Sequence, residues 1–433
     1  MKPVVKAGLI GFGVVGTGVV RLMLNDSKPF LKGRGFGLEL VKIADIDMER
    51  DRGVSLPEGM LTNDAGEILN DPEIDIVIEL IGGYEPARAF TLKAFENGKS
   101  VVSANKALIA RHGSELFAAA EKAGVAYLYE AAVGGGIPIL RGLADGLDAN
   151  TIESIFGILN GTTNYILTGM SRDGFEYRKV LAKAQKLGYA EADPTSDVSG
   201  RDALNKIAIL ARLAFGAVLD MDAVYCEGIE NVSIQDILYA EDLGYTIKLL
   251  AIAKRHPDNR IEARVHPTLV PSDSIMAYVE DEFNAIEICG DAVGREIFYG
   301  KGAGMMPTAS AVVSDCVDIA KLNKSGSLCD INRHHAVNDA PTLVDMEKLR
   351  LRYYLRFMAR DEAGVLAQIS RIFADENISI KSVIQISIAE EAYVPIVIMT
   401  HEALEGDMRR AMKRFGKLDT VKGRIQLIRV EEV

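Results

Sequence analysis

The densest concentration of reactive side chains lies between residues 188 and 206. Glu191, Asp193 and Asp197 crowd a loop broken by Pro194, and Asp202 and Lys206 follow four residues apart. At that spacing they share one face of a helix. Carboxylates and a lysine are the groups that move protons or hold charged ligands. The same pattern also describes a solvated ion pair beside an ordinary acidic loop, with Ser196 or Ser199 capping the helix. An EF-hand calcium loop fits less well, because its spacing and terminal Glu are missing.

A second signal is Gly11-Phe12-Gly13-Val14-Val15-Gly16 near the start of the chain. Gly11 permits a tight turn, Gly13 lets backbone approach a pyrophosphate, and Gly16 lets helix and strand pack closely. The free N–H groups of a helix start suit phosphate. Asp45, at the end of the next strand, can accept hydrogen bonds from a ribose, which favours NAD. Arg50 and Arg52 can instead hold a 2′-phosphate, or all three can be solvated charges at a strand end. Ile81 and Gly82 close a third strand on the cofactor side. Ser103-Ala104-Asn105-Lys106 closes a fourth, where ligands bind in such sheets. From position alone, Lys106 is by default a surface lysine.

These residues need a scaffold. Strands are expected at Val4–Ile10, Leu38–Ala44, Ile74–Ile81, Ser100–Ala104 and Val125–Tyr129. They alternate with helices at Gly16–Leu24, Ala87–Asn97 and Gly113–Lys122. Such alternation, with continuously apolar strands, makes the fold α/β, with a parallel sheet covered on both faces. We expect a dinucleotide-binding domain over 1–130, to which 301–323 returns through a helix at Thr308–Leu322. An α+β substrate and dimerisation domain over 131–300 carries a strand at Ile152–Leu159 and a helix at Arg201–Phe215. A polar linker follows at 324–349. Residues 350–433 read as βαββαβ, the ferredoxin-like order: Arg352–Met358, Val365–Glu376, Ser379–Ile388, Tyr393–Thr400, Glu405–Phe415 and Arg424–Val430.

Composition narrows the classes. The chain has 433 residues, 48% hydrophobic and 25% charged, with a net charge of −12, which is ordinary for a soluble globular protein. The acidic balance, without basic–aromatic runs, argues against nucleic acid. No apolar run reaches the roughly 20 residues that span a bilayer. Glycines interrupt the apolar N-terminus, and no cleavage site closes it. The four cysteines form no C-x-x-C pair, so a reducing, cytoplasmic setting fits.

Several motifs together resemble the homoserine dehydrogenase family. They are GFGVVG at 11–16, SANKALIA at 103–110, the Glu-Ala-Ala-Val-Gly-Gly-Gly-Ile-Pro run at 130–138, LNGTTNYIL at 159–167, and E-x-D-P-x-x-D-V-x-G-x-D-A-x-x-K at 191–206. Order and spacing agree from residue 4 to about residue 322. The resemblance implies Lys206 as catalytic acid/base, Asp202 as its carboxylate partner, and Lys106 between nicotinamide and substrate. It implies Glu191 and Asp197 as holders of homoserine's amino and hydroxyl end, and Gly161 and Thr162 as a loop closing over substrate. Phe12, Val14 and Val15 join the three glycines, Asp45, Arg50, Ile81, Gly82, Ser103 and Lys106 in the cofactor site, and Gly302 and Gly304 return near the nicotinamide. Glu130, with the carbonyls of Val133, Gly135 and Ile137, matches a monovalent-cation site, expected to hold sodium. Ile46 stands where many relatives place a basic or polar residue, so the cofactor is NAD or NADP.

The implied reaction interconverts L-aspartate 4-semialdehyde and L-homoserine by hydride transfer, on the way to threonine, methionine and isoleucine. In the reducing direction a protonated Lys206 stabilises the growing oxyanion and delivers the proton. No thiolate–imidazole cluster calls for zinc. Beyond the linker, Asp361-Glu362-Ala363-Gly364-Val365-Leu366 through Asn377-Ile378 resembles an ACT domain, an amino-acid-sensing module, with threonine the expected effector and Asn377 expected to begin the next strand and contact it across a pair of chains. The combination resembles the monofunctional bacterial form, with no aspartokinase-like domain expected before Met1, assembled as a dimer or tetramer. Two other readings stand beside it: a different oxidoreductase on the same scaffold, and a non-catalytic NAD-binding regulator.

Overall fold

The computed structural model describes residues 4–25, 37–325, 341–385 and 392–433. The chain forms two compact units, each built from three stretches. One comprises Met1–Ile155, Asn205–Met221 and Asn284–Pro341; the other comprises Phe156–Leu204, Asp222–Phe283 and Thr342–Val433.

The first unit is organised by six parallel strands: β1 (Val4–Ile10), β2 (Gly37–Ala44), β3 (Leu61–Thr62), β4 (Ile76–Glu79), β5 (Ser100–Ser103) and β6 (Tyr127–Leu128). Their spatial order is β3-β2-β1-β4-β5-β6. The order reverses between β1 and β4, and such switch points open a crevice at the carboxyl ends of the strands. Every residue of β4 and β5 is buried, as expected for a sheet covered on both faces. The helix Met305–Ser325 packs against Val14–Met23, and Ala309, Val312 and Cys316 join the core of the sheet. A Cβ on Gly18 would lie 2.7 Å from the Met305 carbonyl oxygen, so glycine sets this helix crossing.

Element types agree with the sequence reading, and several boundaries move. The first helix starts at Val14 rather than Gly16. The buried strand shortens to Ile76–Glu79. The helix expected at Gly113–Lys122 begins seven residues earlier, at Lys106, because the Asn105 side chain accepts the Leu108 N–H and caps it. Lys106 thus stands on the first turn of a helix. The two-residue β3 and the short helix Gly66–Leu69 carried no periodic signal.

In the second unit a sheet runs in the order Tyr245–Arg255, Arg260–Pro271, Val421–Val430, Arg350–Arg360, Tyr393–Thr400, Ile380–Gln385. The last four strands, with helices Val365–Asp375 and Glu405–Phe415, complete the expected βαββαβ pattern. Phe357, Phe373 and Phe415 pack ring on ring at its centre. This module shares its sheet with the preceding segment: Val421–Val430 runs parallel to Arg260–Pro271, pairing Arg429 with Thr268. Buried ion pairs reinforce the join, Arg356 with Asp236 at 2.6 Å and Arg264 with both Glu262 and Glu431. Most of the expected linker, and the end of the strand expected at Ser379–Ile388, lie outside the described residues.

Candidate active site

At the carboxyl end of β1 the chain turns at Gly11, whose φ is +103°. A Cβ there would lie 2.7 Å from the Leu80 carbonyl carbon, and one on Gly16 would lie 2.2 Å from the Gly11 oxygen. Nothing lies within 4 Å of a Cβ placed on Gly13. Two glycines are therefore required by the protein's own packing, and the third faces open space. That space is a cleft of about 630 Å³ bounded by Gly11, Gly13, Asp45, Ile46, Asp64 and Ile81, among others. The helix starting at Val14 has no side-chain cap at its N-terminus, which leaves its N–H groups for a ligand.

Asp45 is engaged by this turn. Its carboxylate accepts the Phe12 N–H at 2.5 Å and the Asp47 N–H at 2.8 Å, and lies 3.3 Å from Arg52 Nη2. Arg52 is tied into the structure. It donates to the carbonyls of Phe12, Arg50 and Asp47 and lies over the Phe12 ring. With its side chain only 5% exposed, it is not placed to meet a 2′-phosphate, contrary to one option the sequence allowed. Arg50 is exposed, and Ile46 is 95% exposed.

Glu79 was not singled out by the sequence reading. It ends β4, is buried, and accepts from Ser103 Oγ at 2.7 Å, Ile81 N at 3.0 Å and Gly82 N at 3.4 Å. Burial raises its pKa against these hydrogen bonds. The Ser103 hydroxyl accepts the Asn105 N–H, and the Asn105 amide donates to the Gly83 carbonyl at 2.7 Å. One carboxylate thus joins the Ile81–Gly82 turn to the Ser103–Lys106 turn. A buried carboxylate at the end of a short apolar strand has no period or motif to announce it.

Glu191 and Asp193 lie in a loop as expected, but Asp197 lies in a short helix, Thr195–Val198. The helix that follows is Arg201–Phe215, as read from the sequence. Asp202 and Lys206 are 3% and 6% exposed, so neither is the solvated pair that spacing alone permits. The Asn160 amide nitrogen donates to Asp197 Oδ1 and to Asp202 Oδ2, both at 2.8 Å. Thr162 Oγ1 lies 3.2 Å from Asp197 Oδ2 and donates to the Tyr189 carbonyl at 2.6 Å. Asn160 also caps the helix Gly161–Asp173 through the Thr163 N–H. A Cβ on Gly161 would lie 2.6 Å from the Glu282 oxygen. Asn160, Thr162, Asp197 and Asp202 therefore form one cluster. Asn160 went unread as a site residue although it sits inside the LNGTTNYIL run. Glu191 is exposed, and its carbonyl accepts from Gln185; among the described residues its carboxylate is not brought into this cluster. Among the described residues Ser199 Oγ has no hydrogen-bond partner, so it does not cap the helix.

Glu130 is buried at the start of the 130–138 run. Its oxygens accept the Leu140 and Arg141 N–H groups, each at 2.9 Å, and its own N–H donates to Asp315. Burial, and then the Asp315 charge, push its pKa up to about 7. The half-exposed Arg141 lies 2.5 Å from Asp315 and 3.7 Å from Glu130. Gly135 and Gly302 touch through backbone, since a Cβ on Gly135 would lie 2.6 Å from the Gly302 oxygen. Gly304 has a φ of +121° just before the helix Met305–Ser325.

In the C-terminal module, Gly364 precedes the helix Val365–Asp375, and Asp361 accepts from Gln385 at 3.1 Å. Asn377 does not begin a strand: it ends the helix in the left-handed region, with φ +57°, and Ile378 N–H returns to the Phe373 carbonyl. Asn is among the few residues that take this position readily.

Comparison with known proteins places these parts in one family. Residues 11–130 match the model of the homoserine dehydrogenase NAD-binding domain, 138–317 that of homoserine dehydrogenase, and 353–420 that of the ACT domain. The homoserine dehydrogenases of Pseudomonas aeruginosa and Neisseria gonorrhoeae are 44% and 42% identical, each alignment covering 100% of both chains. The crystal structure of a homoserine dehydrogenase from Thiobacillus denitrificans is 43% identical, with a TM-score of 0.92 over 99% of this chain and 98% of that one. Full-length identity at this level, with matches to the cofactor-binding, catalytic and ACT domains, establishes that the chain belongs to the homoserine dehydrogenase family, NAD(P)-dependent oxidoreductases.

Proposed function

We propose that Lys206 is the acid–base residue of the homoserine dehydrogenase reaction and that Asp202 fixes its ammonium. Bound nicotinamide exchanges a hydride with C4 of L-aspartate 4-semialdehyde or L-homoserine. In the reducing direction Lys206 stabilises the charge growing on the aldehyde oxygen and hands it a proton. In the oxidising direction it takes that proton back. Lys106 orients substrate beside the nicotinamide. Asp197 holds the hydroxyl end and Glu191 pairs with the α-ammonium, which selects amino acids. Gly161 and Thr162 close over the substrate.

The observation that carries this reading is the Asn160 amide, which holds the Asp197 and Asp202 carboxylates together at 2.8 Å each. Asp202 is buried and Asp197 half-buried, so one amide gathers two carboxylates where water is partly excluded and a charged ligand is felt strongly. The test is Lys206→Ala. We expect kcat to fall by about 10²–10⁴-fold. A variant keeping more than about a third of wild-type kcat would sink the assignment.

Glu130, with the carbonyls of Val133, Gly135 and Ile137, is proposed to hold a monovalent cation, sodium first. The fit rests on charge: among the described residues, buried Glu130 and Asp315 pair with one guanidinium, that of Arg141, which also pairs with Asp318, and a cation would neutralise the remainder. Gly302, which packs on this turn, and Gly304, just before the helix Met305–Ser325, are proposed to shape the nicotinamide end of the site.

Threonine is proposed as an effector bound by Asp361, Gly364, Val365 and Leu366 at the start of a helix, with Asn377 and Ile378 completing the pocket across a pair of chains. Ile380–Gln385 is an edge strand with exposed Val383 and Ile384, and Leu366 is also exposed. Edges of this kind are covered by pairing, which supports a homo-oligomer. Contacts also run from the module toward the short helix that carries Asp197. Arg429, beside Glu405 in the module, bonds Glu227 at 3.2 Å. Two residues on, the Ile229 N–H donates to the Val198 carbonyl, next to Asp197. Because the module shares its sheet, truncation would strip the edge of Arg260–Pro271. The cleaner test is calorimetry of threonine on the intact protein and on Asp361→Ala. The absence of binding to the intact protein would end the regulatory reading. Among the described residues no helix is long and apolar enough to cross a membrane, and we place the enzyme in the cytoplasm.

A further inference from the structure

We propose that this enzyme selects NAD(H) over NADP(H), and that Asp47 and Asp64 set the selection. The inference rests on the reading of the Gly11–Gly16 cleft as the dinucleotide site. Past β2 that cleft is bounded by Asp45, Ile46, Asp47, Asn63 and Asp64, and among the described residues no lysine or arginine lines it. Asp45 lies 3.3 Å from Arg52, so its charge is balanced locally. Arg52 cannot turn to a ligand, because three backbone carbonyls and the Phe12 ring hold it.

Among the described residues, no lysine or arginine forms an ion pair with the Asp47 or Asp64 carboxylate; Arg52 meets Asp47 only at its carbonyl oxygen. Asp47 Oδ1 accepts the Arg50 N–H, and Asp64 Oδ1 accepts the Gly66 N–H, contacts that fix the carboxylates on the rim without neutralising them. Ribose hydroxyls are good partners for carboxylates. A 2′-phosphate carries about two negative charges and is repelled by them. Ile46, 95% exposed between Asp45 and Asp47, offers it no donor. The exposed Arg50, three residues after Asp47, does not line the cleft.

The test is direct binding, by calorimetry of NADH and NADPH on the intact protein at physiological salt, because screening weakens the contrast between charged sites. NADH should bind at least about tenfold more tightly, the scale of like-charge juxtaposition at a partly exposed site. The same ratio should hold for ADP-ribose against its 2′-phosphorylated form. Asp47→Asn/Asp64→Asn should narrow the ratio through tighter NADPH binding with NADH little changed, and Ile46→Arg should narrow it further. Equal or tighter NADPH binding by the wild type overturns the proposal. So does a double variant with an unchanged ratio, or an Arg50→Ala variant that loses NADPH affinity alone. If neither dinucleotide binds, the reading of the cleft itself fails, an outcome distinct from a wrong preference.

Discussion

The glycine turn after β1 and the Asn160 cluster recognise their ligands by opposite means. At the turn the protein presents backbone and empty space: Gly13 faces nothing within 4 Å, and the helix start is uncapped. At the cluster it presents side chains already bonded to one another, with Asn160 between two carboxylates. The first arrangement binds a phosphate by geometry that any sequence with the right glycines can make. The second depends on particular side chains kept out of water, where each lost hydrogen bond is costly. The proposed function gives binding of the cofactor to the turn and chemistry on the substrate to the cluster, in keeping with this difference.

Removing the amide at residue 160 should have the largest effect. Asn160→Ala leaves Asp197 and Asp202 facing each other without their shared donor. We expect kcat/KM for homoserine to fall by about 10²-fold, with a stability loss of about 1–3 kcal/mol measured by urea unfolding. A near-wild-type kcat/KM would mean that the cluster is structural only. Gly16→Ala comes next. Its Cβ would lie 2.2 Å from the Gly11 oxygen, and the overpacking should cost about 1–3 kcal/mol and lower Tm. Gly13→Ala should do the reverse: Tm stays within about 1–2 °C of wild type, while dinucleotide affinity drops several-fold as the methyl enters the ligand's space. If the two glycine variants behave alike, the turn is not divided into packing and ligand faces. The smallest effect should be sodium's. Replacing it with a large organic cation at equal ionic strength should lower Tm by a few degrees, about 1 kcal/mol of linkage, and Glu130→Gln should abolish that difference.

The sequence displayed the parts that repeat or alternate. Strands β1 and β2 and the helices Arg201–Phe215 and Glu405–Phe415 were legible because apolar spacing follows the period of each element. Lys106 was misplaced at a strand end because its helix starts with a polar turn that Asn105 caps, and only the apolar second half shows the helical period. Asn377 was read as a strand start because an Asn in the left-handed region looks like any polar residue before a strand. Spacing placed Asp202 and Lys206 on one face, but their burial and the bridging Asn160 come from packing between segments 42 residues apart. Glu79 and Arg52 make the same point with opposite sign. One is a plain acidic residue that organises two turns, and the other is a plain basic residue that the fold withdraws from the ligand.

The division between turn and cluster is tested most directly by NADH affinity, read from NADH fluorescence on binding to wild type, Lys206→Ala and Asn160→Ala. The account predicts dissociation constants within about threefold of one another, a difference below 1 kcal/mol, while turnover in the two variants falls by about 10²-fold or more. A loss of NADH affinity that tracks the loss of turnover would contradict it, because the cluster would then be holding the cofactor rather than acting on the substrate.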